Sequence, residues 1–252
     1  MTSNKILDSH IHLNPRFTLH DSLSILRQKM FDAQVDGGLL IHLDTDPWNF
    51  SDLCDEVREI SNLEVFVNLN LKQSAQGIER DLRKIKDAGA IGIKLHPRRQ
   101  CLNLTEAEVY LALETIQELR LKVNICSFDD GSWGRIGLEA SSFLALADKY
   151  KDTFFLWSHA GGYKVLEFMM MARRTSNVYL DSSFTQSYFF KGSVREDLNY
   201  ATESLPGRFM FGTDSEMDNY VEVVASNKEF FLTHNPNRGD FFSGNLVRFL
   251  EM

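Results

Sequence analysis

Eight apolar, β-branched runs recur at intervals of roughly 30 residues, with amphipathic stretches between them, and this period constrains the chain more than any other feature. The runs are Lys5–Leu13, Gly38–Leu43, Glu64–Asn70, Ala90–His96, Leu121–Ser127, Thr153–His159, Asn177–Ser182 and Arg208–Asp214. Helical patterns fall between them, most clearly at Ser51–Ser61, Ile78–Ala88, Thr105–Leu119, Glu139–Tyr150, Val165–Arg174 and Asp218–Phe231. The third of these carries an expected capping box at Thr105 and Glu108. Strands alternating with helices imply a parallel sheet. Eight such units in 252 residues fit an α/β fold of the closed (β/α)8 TIM-barrel kind, with working groups at the C-terminal strand ends. No glycine-rich phosphate fingerprint follows the first strand, which disfavours a doubly wound open sheet. No linker or low-complexity segment breaks the series, so the expectation is a single domain over residues 1–252.

Composition narrows the partners. The net charge of −8 disfavours nucleic acid and anionic membranes, and no apolar run has the length of a membrane span. Three widely spaced cysteines (Cys54, Cys101, Cys126) make no disulfide framework and suit a reducing compartment. The N-terminus leads straight into the first strand, without a secretory signal. The expectation is a cytoplasmic protein whose partner is a small molecule.

The barrel reading demands polar groups at the strand ends, and the sequence supplies them. His10 and His12 end the first run, alternating to one face with Asp8. Asn68 and Asn70 end the third, Lys94 and His96 the fourth, Asn124 and Cys126 the fifth, His159 the sixth, Asp181 the seventh and Asp214 the eighth. Five of the seven histidines lie at these ends (His10, His12, His42, His96, His159), a clustering that, with an aspartate, suits a borderline cation such as Zn²⁺.

Four motifs in this order resemble the amidohydrolase superfamily: Asp8-Ser9-His10-Ile11-His12, Ile93-Lys94-Leu95-His96-Pro97, Trp157-Ser158-His159-Ala160-Gly161-Gly162 and Phe211-Gly212-Thr213-Asp214. The closing Ser243–Leu250 segment is similar to the C-terminal signature of the amidohydrolase-related branch, which includes aminocarboxymuconate semialdehyde decarboxylase-like proteins. The resemblance implies a divalent metal, zinc by preference, held by His10, His12 and Asp214. It also implies that Asp214 and His159 handle protons, with His159 near the metal-bound water or the substrate.

One position departs from the family. Where the fifth strand usually carries a histidine ligand, this chain has Cys126. Three accounts stand side by side: Cys126 ligates the metal, the metal is held by fewer residues, or the site hydrolyses lactones without metal. Lys94, His96 and Asn70 are the expected substrate contacts, Lys94 as a cation for an anionic group. Arg98 and Arg99 read as a solvated loop. The apolar stretch 183–190 reads as pocket lining, a lid or a subunit contact, which makes a homodimer an expectation, and Asp129, Asp130 and Trp133 lie where they could reach the site. The implied activity is metal-assisted hydrolysis of a small carboxylated molecule. Decarboxylation, metal-free lactone hydrolysis and a degenerate binding protein are the alternatives.

Overall fold

The computed structural model describes residues 5–60, 62–215, 217–234 and 238–252. Eight strands form one parallel sheet in sequence order: β1 (Leu7–Ile11), β2 (Gly37–His42), β3 (Leu63–Asn68), β4 (Gly92–Leu95), β5 (Lys122–Cys126), β6 (Phe155–Ser158), β7 (Val178–Asp181) and β8 (Phe209–Met210). All eight expected runs contain a strand. The last is the shortest because the chain leaves the ladder after Met210 and closes the barrel by other bonds: Ser9 N–H donates to the Phe211 carbonyl (2.9 Å) and Asp214 N–H to the His10 carbonyl (2.9 Å). Gly212 lies at this seam, where a Cβ would stand 2.6 Å from Ser9 Oγ and 3.5 Å from His10 Cβ. The result is a single-domain, nearly closed (β/α)8 barrel.

Helices α1 (Leu19–Ala33), α2 (Phe50–Arg58), α3 (Ala75–Asp87), α4 (Pro97–Gln100), α5 (Ala107–Leu119), α6 (Ala140–Lys149), α7 (Val165–Ala172), α8 (Thr185–Tyr188), α9 (Val194–Ser204), α10 (Tyr220–His234) and α11 (Asn245–Glu251) follow the strands. Ser61, the expected end of the second helix, lies outside the described residues. The expected capping box at Thr105 and Glu108 does not form: α5 starts at Ala107, with Glu106 as N-cap and no side-chain cap bond. A turn precedes it instead, in which Asn103 Oδ1 accepts from Thr105 N–H (3.0 Å) and Glu106 Oε1 from Asn103 N–H (2.8 Å).

Alternation along the strands sorts side chains into two regions. Outward positions such as Leu40, Val65, Val67, Ile93, Val123 and Ile125 pack under the helices. Inward positions are apolar at the barrel floor, where Leu39, Ile41, Phe66, Leu156, Tyr179 and Met210 meet Phe249 of α11. Gly92 makes room there, since a Cβ would stand 2.4 Å from the Phe66 ring. Above that floor the inward positions turn polar, with Lys94, Asn124 and Ser158 forming the next layer. The sheet thus leads from a sealed apolar end to a polar mouth.

Candidate metal centre and active site

Three elements bring His10, His12 and Asp214 together: β1, the residue after it, and the segment after β8. His10 Nε2 lies 3.3 Å and His12 Nε2 3.1 Å from the same atom, Asp214 Oδ1. Asp214 is placed by its backbone, with φ of 54° and its N–H bonded to the His10 carbonyl. His159 (φ 70°) and Phe184 (φ 60°) also sit in the left-handed region. Such departures cost about 1–3 kcal/mol each and collect at working sites.

Proton accounting at this cluster tests whether a cation fits. His12 Nδ1 lies 3.2 Å from the Ile41 carbonyl, which only accepts, so the Nδ1 side carries a proton and Nε2 is the nitrogen turned to Asp214. Burial and the nearby Lys94 push the His10 imidazole down to about 3. Burial would raise the Asp214 carboxyl, but the imidazoles of His10, His159 and His12 hold it well below the usual carboxylate range. Two imidazole nitrogens and an ionised oxygen therefore converge on one point. That donor set suits a divalent cation, and His10, His12 and Asp214 are the residues that would hold it.

These groups face a cavity of about 350 Å³, also lined by Lys94, His96 and His159. Lys94 is buried, and its Nζ donates to Asn124 Oδ1 (2.8 Å) and Ser158 Oγ (3.2 Å). The His159 ring lies 4.9 Å from that of His10. Its Nδ1 is 3.0 Å from the Ser183 carbonyl and 2.9 Å from Ser183 Oγ. The Cys126 sulfur lies near the imidazoles of His96 and His159. Burial alone would raise the Cys126 thiol and lower His159. The imidazoles of His96 and then His159 hold the thiol well below its usual range, and Cys126 together with Asp214 lifts the His159 imidazole. Among the described residues, Cys126 is not one of the atoms grouped around Asp214.

Several residues stand elsewhere than the sequence places them. Asn70 is exposed and serves a turn, its Oδ1 accepting from Lys72 N–H (2.9 Å), away from the cavity lining. Asp8 faces the segment after β8 instead of the cavity. The β1 register slips between Asp8 and Ile11, and the Asp8 carboxylate accepts from His10 N–H (3.0 Å), Thr213 N–H (3.0 Å) and the Thr213 hydroxyl (2.7 Å). Arg98 and Arg99, read as a solvated loop, line the cavity mouth from α4. Arg98 pairs with Asp130 (2.6 Å), while Arg99 donates to Thr45 Oγ1 (3.0 Å). Their signal was Pro97, which favours a first helical turn and so aims both side chains. In the 183–190 stretch, Phe184 lines the cavity and packs edge-on to His159. Asp129 bonds Lys164 and Tyr163, and Trp133 is buried against Phe143.

Residues 63–242 match the model of the amidohydrolase family, and the chain belongs to that family. Solved structures share the whole fold. An uncharacterised TIM-barrel protein from Bordetella bronchiseptica superposes with a TM-score of 0.79 at 17% identity, covering 98% of each chain. A probable 2-pyrone-4,6-dicarboxylic acid hydrolase from Acinetobacter baumannii, with citric acid bound, gives 0.70 at 11% identity over 98% of this chain and 100% of that one. A 5-carboxyvanillate decarboxylase from Novosphingobium aromaticivorans, with manganese and 3-methoxy-4-hydroxy-5-nitrobenzoic acid bound, gives 0.69 at 12% identity over 100% and 98%. No curated sequence is significantly similar to this one.

Proposed function

We propose that this protein is a metal-dependent hydrolase of small carboxylated molecules. The observation that carries this reading is the convergence of His10 Nε2, His12 Nε2 and Asp214 Oδ1 on one point at the wall of a cavity. His10, His12 and Asp214 would hold a divalent cation there, zinc by preference, which would supply an acidified water and a Lewis acid for a carbonyl oxygen. Asp214, held ionised, accepts a proton from the attacking water. His159, raised by its contact with Cys126, keeps a proton to donate to the leaving group or to a developing oxyanion. Two titratable groups pushed in opposite directions divide the base and acid roles between them.

The substrate class rests on the cavity mouth. Arg99 reaches it from α4, donating to Thr45 of the β2–α2 loop, and its planar fork suits a carboxylate. Lys94 and His96 line the same cavity. A small molecule with a carboxylate on one side and a hydrolysable carbonyl on the other fits this arrangement.

The test is turnover of carboxylated lactones and amides, with CO₂ release from aromatic carboxylic acids followed in parallel. Hydrolysis lost to chelator, restored by zinc or manganese, and lowered at least about 100-fold in Asp214→Asn supports the reading. CO₂ release in place of hydrolysis makes the protein a decarboxylase. Lactone hydrolysis indifferent to chelator removes the metal from the account.

A further inference from the structure

We infer that Asp181 is the positioning residue that makes His10 a metal ligand, by accepting the proton that must sit on His10 Nδ1 when Nε2 binds a cation. This rests on the metal reading above. A neutral imidazole has one proton and ligates only through its bare nitrogen. At His12 the Ile41 carbonyl receives that proton. His10, two residues earlier on the same strand, has no carbonyl in the equivalent place. Its Nδ1 faces Asp181 Oδ2 at 3.5 Å, and both residues are buried, 1% and 0% exposed. Both atoms are buried without any hydrogen-bond partner among the described residues, so each is the nearest candidate to satisfy the other.

The other half of the Asp181 carboxylate is fixed. Oδ1 accepts from His159 N–H (2.8 Å), Ser183 N–H (3.0 Å) and the Ser183 hydroxyl. These three donors set the carboxylate plane and leave Oδ2 turned to His10. His10 therefore stands between two carboxylates, Asp214 on the Nε2 side and Asp181 on the Nδ1 side. With a cation on the Nε2 side the proton belongs at Nδ1, where an outer carboxylate orients the ring and raises its basicity.

Asparagine separates this role from a merely structural one. In Asp181→Asn the amide oxygen stays at Oδ1, where three donors require an acceptor, so the amide NH₂ faces His10 Nδ1. A donor there opposes the Nδ1–H tautomer, while the bonds to Ser183 and His159 survive. In Asp181→Ala the acceptor is lost without an opposing donor, but Ser183 and His159 are unseated. Zinc affinity is measured against a chromophoric chelator, and thermal unfolding of the zinc-free protein is followed alongside.

The expected result is that Asp181→Asn binds zinc roughly 10- to 100-fold more weakly than the wild type with a nearly unchanged unfolding midpoint. Asp181→Ala loses more stability but less affinity. The inference is overturned if Asp181→Asn binds within twofold of the wild type, or if Asp181→Ala is the weaker binder, which marks a structural role or direct ligation. A wild type that binds no zinc overturns the metal reading itself, a result distinct from either.

Discussion

At the residue scale, the consequential contacts are those at Asp214. Asp214 Oδ1 meets two imidazole nitrogens, and removing either imidazole should weaken cation binding more than it weakens the fold. His12→Ala is expected to lose bound metal, read by elemental analysis, while keeping a cooperative unfolding transition. Asp8 behaves in the opposite way. It satisfies three buried donors at the barrel seam, so Asp8→Ala should lower unfolding free energy by about 3 kcal/mol in denaturant titration, the cost of stranding those donors. Its titration gives a second signature. Burial pushes the Asp8 carboxyl up to about 7, against 3.8 when unfolded. The folded state then holds a proton that the unfolded state has lost, so this contribution is full below pH 3.8, declines as pH rises and is gone above about 7. The stability difference between the wild type and Asp8→Asn should fall across that window and level off beyond it. The sequence pattern carried His10, His12 and Asp214 because alternation and strand-end placement are local facts. It misplaced Asp8 because the register slip after it depends on how β1 pairs with β2.

At the scale of elements, the strand ends deliver the chemistry and short turns aim it. The one-turn α4 sets Arg98 and Arg99 on the cavity mouth. Arg99→Ala should raise KM for a carboxylated substrate by about 10-fold or more, the order of one charge-assisted hydrogen bond, and leave kcat and metal content nearly unchanged. Steady-state kinetics with the acid and its neutral amide check this, since the amide should lose nothing in the variant. A run of two arginines after a proline reads equally well as solvent-exposed loop, so only the folded cavity decides between the two. Asn70 went wrong for a related reason. Strand β3 ends at Asn68, and the chain turns outward before the strand pattern does.

For the whole molecule, the period of apolar runs was enough to define a barrel, because eight strand-helix units admit few other closures. The family match over residues 63–242 agrees. What the period leaves open is how the ends are sealed. The floor is closed by Phe249, buried against Phe66 and Tyr179, and Phe249→Ala should destabilise the barrel by about 3–5 kcal/mol. The Cys126 substitution is likewise legible as a departure but not as a consequence. Only the fold places Cys126 near His96 and His159 and outside the group at Asp214.

The central claim is that His10, His12 and Asp214 hold a cation without help from Cys126. Elemental analysis of protein purified without affinity tag or chelator tests it most directly, with Asp214→Asn and Cys126→Ala in parallel. Close to one divalent ion per chain is expected in the wild type and in Cys126→Ala, and a large loss in Asp214→Asn. No metal in the wild type, even after reconstitution, would contradict it, as would metal lost in Cys126→Ala and kept in Asp214→Asn.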